Sequence, residues 1–240
     1  MDIKALIRQK NIKAVIFDCD GTLVDSELSH HQGWQYSLHD YHHPFSLEEY
    51  SVWVGKSVEA IAQYLASRLQ KDNAKELIHK KREHRHLAQS SGATPIADTV
   101  MFLTLLAKEK EHLGIKLGLA SASAKGEILN NLRSLHIEHL FDVIISGQND
   151  LQDYHDPEGT NKPKPYIYLH TAKLLGISPS KCIVVEDSQP GVSAGVDAGC
   201  FTIAVPNAYT AGHDFSRAHL TLESFKGMDI GNFLEKIPAL

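Results

Sequence analysis

Short apolar runs rich in β-branched residues recur along the chain at 14–17, 115–120, 143–145 and 182–185. Between the later runs, apolar residues fall three or four apart. Met101, Leu105 and Leu106 do so within 98–112, Ile128, Leu129 and Leu132 within 125–135, and Ile167, Leu169 and Ala172 within 165–175. A strand covered on both faces reads as a continuous apolar run, whereas a helix with one buried face repeats near 3.6 residues. The alternation therefore predicts a parallel sheet flanked by helices, an α/β fold. Residues 201–205 and 219–222 are expected to add edge strands, and 229–237 a closing helix.

From residue 27 to about 91 the alternation stops, and only helical patterns are found, at 27–41, 46–54, 57–69 and 74–89. Ser46 stands three residues before Glu49, and Ser57 precedes Ile61, Tyr64 and Leu65; both read as helix starts. Gly92 and Pro95 punctuate the return to the alternating pattern. The expected organisation is an α/β domain made of 1–26 and 92–240, interrupted by a helical domain at 27–91 and joined to it by two linkers. There is no internal repeat and no low-complexity tract.

Composition changes this picture little. With 42% hydrophobic and 22% charged residues the chain can afford a packed core. A net charge of −5 argues against a nucleic-acid partner but leaves room for a small anionic substrate at a locally positive site. The first 13 residues lack the apolar core of a signal peptide, and no run approaches the roughly 20 apolar residues of a membrane span. The expectation is a cytoplasmic protein with no membrane partner, and a monomer by default. Cys19, Cys182 and Cys200 have neither disulfide nor zinc spacing and are expected to be packed thiols, with Cys19 open to oxidation if exposed. The 15 histidines, crowded in 27–43 and 79–86, follow no ligand spacing and are read as a titrating surface. His84 and His86, two apart on a predicted helix, should face different ways.

The chemistry sits just after the predicted strands. The first runs into Asp18-Cys19-Asp20-Gly21-Thr22, the second ends at Ser121, the third leads on to Lys162-Pro163-Lys164-Pro165, and the fourth runs into Glu186-Asp187-Ser188. In open α/β sheets, ligands bind beyond the carboxyl ends of the strands, so these groups should converge. Asp18, Asp20, Glu186 and Asp187 together would repel one another unless a cation intervened, and oxygen-only ligands select a hard ion such as Mg²⁺. A lysine and a serine hydroxyl could hold the remaining oxygens of a phosphoryl group. A carboxylate kept ionised could attack phosphorus, and a protonated partner could serve the leaving oxygen.

These motifs, in this order, resemble the haloacid dehalogenase superfamily in its phosphatase and β-phosphoglucomutase-like branch. The resemblance covers nearly the whole chain. It implies a Rossmann-like core with an inserted all-helical cap of the C1 type, and a Mg²⁺-dependent phosphohydrolase acting on a small phosphomonoester, such as a sugar phosphate, through a phospho-aspartate. It makes Asp18 the nucleophile and Asp20 the general acid and later base. Ser121 and Lys162 become phosphate ligands, with Lys164 the neighbouring alternative. Asp18, the Asp20 backbone carbonyl and Asp187 would hold the metal, with Glu186 helping. Lys56, in the run Val54-Gly55-Lys56-Ser57 between cap helices, is a candidate substrate contact.

A phosphomutase is the main alternative, a dehalogenase is a lesser one, and a catalytically idle binding module is an alternative of another class. The mutase used for comparison has an arginine soon after its cap-loop glycine. Here 55–60 contains none, and the next is Arg68, which favours the phosphatase. Gly191, Gly195 and Gly199 lack the dinucleotide-binding pattern and are expected to serve close packing in a helix. The acidic stretch 148–161 has the wrong register for a calcium loop and is expected to be an exposed loop near the site entrance.

Overall fold

The structure is a computed structural model that describes residues 2–54, 56–88 and 93–240, with the backbone alone for 85–88. In chain order the elements are α1 (Ile3–Gln9), β1 (Ala14–Phe17), α2 (Glu27–Leu38), α3 (Leu47–Ser51), α4 (Val58–Arg68), α5 (Ala74–Ala88), α6 (Ala97–Leu113) and β2 (Lys116–Ser121). Then follow α7 (Lys125–Ser134), β3 (Val143–Ser146), α8 (Tyr166–Leu175), β4 (Cys182–Glu186), α9 (Gln189–Asp197), β5 (Phe201–Ala204), β6 (Leu220–Thr221) and α10 (Ile230–Glu235).

The strands form one parallel sheet in the order β3-β2-β1-β4-β5-β6. Side chains alternate between its faces. Val15 and Phe17 join Leu117, Leu119, Ile183 and Val185 beneath α6 and α10, while Ala14 and Ile16 join Ala120 and Val184 beneath α8 and α9. Both faces of β1 are covered, which is why its sequence is apolar without a break. β5 was expected at an edge but lies between β4 and β6; the two-residue β6 takes the edge instead. Ahead of β1, α1 forms without a clear apolar period in the sequence: the Asp2 side chain caps it at Ala5 N–H, and Ile7 is its buried residue.

Among the described residues, 27–88 contains no strand. Its helices enclose a core of their own around Trp34, Leu38, Phe45, Ile61, Leu65 and Leu77, separate from the two clusters on the sheet. This is the inserted helical cap. Ser46 and Ser57 cap α3 and α4 through the N–H groups of Glu49 and Ala60. The Glu49 side chain does not complete a capping box; it accepts from Tyr64 and Arg68 instead. The two connections to the core run side by side. Val24 and Pro95 form an antiparallel bridge, Asp25 N–H bonds Thr94 at 2.8 Å and Ile96 N–H bonds Leu23 at 2.9 Å. Gly92 and the expected boundary at 91 lie outside the described residues.

Candidate active site

The parallel register delivers the polar strand ends to one place. Asp18 follows β1 directly, and its N–H is held by Val185 O at 3.0 Å. The chain then turns on Cys19 O, which accepts from Leu23 and Val24, and Gly21 takes φ +83°. A β-carbon at Gly21 would stand 2.2 Å from Asp187 Oδ2, so only glycine fits. Ser121 ends β2, Glu186 ends β4 with Asp187 beside it, and Lys162 reaches in from the loop before α8. Asp18, Asp20, Ser121, Lys162 and Asp187 line one cavity, of about 100 Å³, that is roofed by the cap; Lys56 lies on its wall. Glu186 is fully buried behind it.

Lys162 is the hinge of the charge network. Its ammonium donates to Asp18 Oδ1 at 2.5 Å, to Glu186 Oε1 at 2.6 Å and to Ala120 O at 3.0 Å. All its N–H donors are engaged. Glu186 in turn accepts from Tyr168 OH at 2.6 Å and, at its other oxygen, from the Asp187 and Ser188 N–H groups and the Ser188 hydroxyl. Gly191 is small because this carboxylate occupies the space: a β-carbon there would meet Oε1 at 1.9 Å. Gly195 likewise packs against Thr202, but Gly199 stands after α9 in the left-handed region, at φ +81°, and does not pack in the helix. Lys164 pairs with Asp156 and Glu158 and leaves the site to Lys162.

Burial pushes the Asp18 carboxyl well above the usual carboxylate range; Lys162 opposes this, and Glu186 and Asp20 add to it. Asp187 is raised for the same reason, with Glu186, Asp18 and Glu27 as repelling neighbours. Burial works against the Lys162 charge, but Asp18 and Glu186 outweigh it and hold the ammonium above the ordinary lysine value. Carboxylate oxygens of Asp18, Glu186 and Asp187 lie within 4.8 Å of one another. A buried cluster of hard oxygen donors fits a hard divalent cation.

Asp20 faces a ring of hydroxyls. It accepts from Ser26 and Ser123 at 2.7 Å each and from Ser121 at 3.1 Å. The cap adds His30, whose Nε2 is 3.7 Å from Asp20 Oδ1. Lys81 of α5, buried within the cap, donates to His30 Nδ1 at 3.2 Å, which sets the ring hydrogen on Nε2, toward Asp20. Sequence reading assigned the histidines to a titrating surface. For His30 and for His31, which is buried against Phe45 O at 2.6 Å, the structure corrects that. The signal was present in the spacing: His30 falls one helical turn after Ser26, on the side facing Asp20. The side chain of His86, like Gly55, lies outside the described residues.

Other functional side chains were invisible to local reading. Arg82 of α5 is among the residues that line the cavity, from beyond the 55–60 segment. Tyr168 and Ser123 support the charged groups, and Asn207 donates to Asp187 Oδ2 at 2.8 Å. The acidic stretch is spent on structure: Asp150 pairs with Lys125 and Asp156 accepts from Tyr166. None of the three cysteines forms a disulfide, and all are buried, Cys19 included.

The haloacid dehalogenase-like hydrolase profile matches residues 15–205. A β-phosphoglucomutase of Bacillus subtilis is 32% identical over 203 residues, which span 81% of this chain and 83% of that protein. A phosphorylated carbohydrates phosphatase of Thermotoga maritima is 30% identical over 194 residues, 78% of this chain and 82% of that one. Among solved structures, CbbY of Rhodobacter sphaeroides in complex with phosphate superimposes with a TM-score of 0.73 at 25% identity, over 89% of this chain and 95% of that chain. The chain belongs to the haloacid dehalogenase-like hydrolase family. It is an enzyme of that family's phosphatase type, in the branch that also holds phosphomutases.

Proposed function

We propose that the protein is a Mg²⁺-dependent phosphatase of a small phosphomonoester, a sugar phosphate in the first instance, working through a phospho-aspartate on Asp18. The observation that carries this reading is the Asp18 carboxylate, set on the cavity wall 2.5 Å from the Lys162 ammonium with Asp20 and Ser121 beside it. The two domains would be 1–26 with 92–240 and the cap at 27–91. Three cysteines outside any disulfide suit a reducing cytoplasm, and no helix among the described residues is long and apolar enough to cross a membrane.

Asp18, Asp187 and the Asp20 backbone carbonyl would hold the ion, with Glu186 behind them. When bound, it supplies positive charge that keeps Asp18 ionised and offsets the charge of the phosphoryl oxygens. Lys162 exchanges its Asp18 bond for a phosphoryl oxygen, and Ser121 donates to another. The Asp18 carboxylate attacks phosphorus, and the bond to the leaving oxygen breaks as Asp20 passes it a proton. Asp20, now a carboxylate oriented by Ser26, Ser123 and His30, takes a proton from water. That water attacks the phospho-aspartate, releasing phosphate and restoring Asp18. Glu186 keeps Lys162 in place throughout. The cap excludes bulk water and reads the rest of the substrate, with Lys56 as one contact.

Asp18→Asn should abolish turnover across a panel of phosphorylated metabolites. Chelation should abolish wild-type turnover until Mg²⁺ is returned. Near wild-type rates in Asp18→Asn would mean that another group attacks. Arg82 favours a second reading, a phosphomutase, because a bidentate guanidinium on the cap wall could hold a second phosphate. Supplying β-glucose 1-phosphate with a trace of the bisphosphate separates the two. The phosphatase releases mainly inorganic phosphate, and the mutase accumulates glucose 6-phosphate.

A further inference from the structure

The segment that follows β5 carries no assigned role, yet it touches both the acid cluster and the cap. The Asn207 amide nitrogen donates to Asp187 Oδ2 at 2.8 Å and to the Gly21 carbonyl at 3.1 Å. Its amide oxygen accepts from the N–H groups of Tyr209 at 2.8 Å and Thr210 at 3.2 Å, and its own N–H is taken by the Thr210 hydroxyl at 3.0 Å. Every polar group of that side chain is therefore spoken for, and Thr210 is fully buried. Two residues on, Tyr209 packs against the cap's own hydrophobic core, although it belongs to the core chain. Further along, His213 Nδ1 accepts from Gln189 N–H at 3.2 Å, at the start of α9, and its ring lies beside the Ser51 backbone at the end of α3. One short segment thus holds a cluster carboxylate at one end and cap residues at the other.

We propose that Asn207 is a positioning residue for Asp187, and that 207–213 is a strap through which the cap and the acid cluster sense one another. This rests on the reading of that cluster as a Mg²⁺ site. A donor on Oδ2 fixes the carboxylate's rotation and leaves Oδ1 to face a cation. It also fixes Gly21, whose turn leads from Asp18 and Asp20 into the cap connection. Outer partners of this kind typically change metal affinity 10–100-fold when removed. Because the same amide anchors the turn that carries Tyr209, a change at the cluster is passed to the cap core, where Trp34 lies.

Calorimetric titration of the full chain with MgCl₂ alone tests the first half. Wild type should bind, and Asn207→Ala, if it still unfolds cooperatively, should bind about 10–100-fold more weakly. Its kcat at saturating Mg²⁺ should return toward wild type. A wild type that binds Mg²⁺ with an Asn207→Ala of equal affinity overturns the proposal and spares the metal reading. A wild type that binds no Mg²⁺ sinks the metal reading itself. Should Asn207→Ala fail to fold, Thr210→Val deletes only the hydroxyl that orients Asn207. Weaker binding is again expected, and equal affinity again overturns the proposal. For the cap end, tryptophan emission should change as wild type takes up Mg²⁺. Tyr209→Ala should lose that change while keeping its Mg²⁺ affinity. A Tyr209→Ala protein with the full emission change overturns the strap.

Discussion

At the scale of single residues, the site is an excess of buried carboxylate held by one ammonium. The two raised acids, Asp18 and Asp187, make stability depend on pH. Each native carboxyl keeps its proton at pH values where the unfolded chain has released it, so the native state binds more protons and stability falls as pH rises. Without divalent metal, the melting temperature should decline as pH rises from about pH 4, the ordinary carboxylate value, toward the raised native values. Saturating Mg²⁺ should flatten that slope, because a cation lets both acids ionise. Thermal unfolding in chelator and in excess Mg²⁺ across pH 5–8 checks this, and parallel slopes would count against it. Asp20 makes a separate prediction. If it protonates the leaving oxygen, Asp20→Asn should lower kcat on a sugar phosphate by about 10²–10⁴-fold. The loss should be much smaller on p-nitrophenyl phosphate, whose leaving group needs no proton. Equal losses on both would argue that Asp20 is needed for something other than acid catalysis.

At the scale of elements, the strands and helices were legible wherever burial imposed a clean period. β1 and β4 begin where the apolar runs begin because both their faces are covered. α1 was not, since a helix of seven residues with a single buried side chain leaves too short a pattern. The four motif groups were readable because each is tied to a strand end. Asn207, Tyr168 and Lys81 were not, since they act through contacts made across the fold and no local spacing announces them. Arg82 was not legible for the same reason: it is distant along the chain from 55–60 but lines the same cavity as Lys56. The paired crossing at Val24 and Pro95 also belongs to this scale. Hinges are a few element-terminal residues that absorb backbone rotation, and here two such stretches are bridged to one another. The cap should therefore rotate as one body about that bridge. Solution scattering with Mg²⁺ and vanadate, a phosphate mimic, should show a more compact particle than the ligand-free protein. Identical profiles would rule out the movement.

At the scale of the whole molecule, chemistry and selection have separate supports. The sheet's two hydrophobic clusters back the strand ends that carry the acid cluster, while the cap's separate cluster backs the opposite wall of the cavity. Because outgoing and returning chains are hydrogen-bonded side by side, the sheet domain meets its insertion as the open end of a hairpin. That geometry makes the insertion removable. A chain carried from Ser26 to Ala93 by a short turn would keep the paired ends and every strand in register. Such a truncated protein is expected to melt cooperatively and to cleave activated aryl phosphates while losing preference among sugar phosphates. It could equally accept a helical insertion from a relative, taking the donor's preferences while keeping its own acid cluster. The bridge between Val24 and Pro95 is thus a natural recombination joint, where new substrate ranges can be spliced onto an unchanged engine.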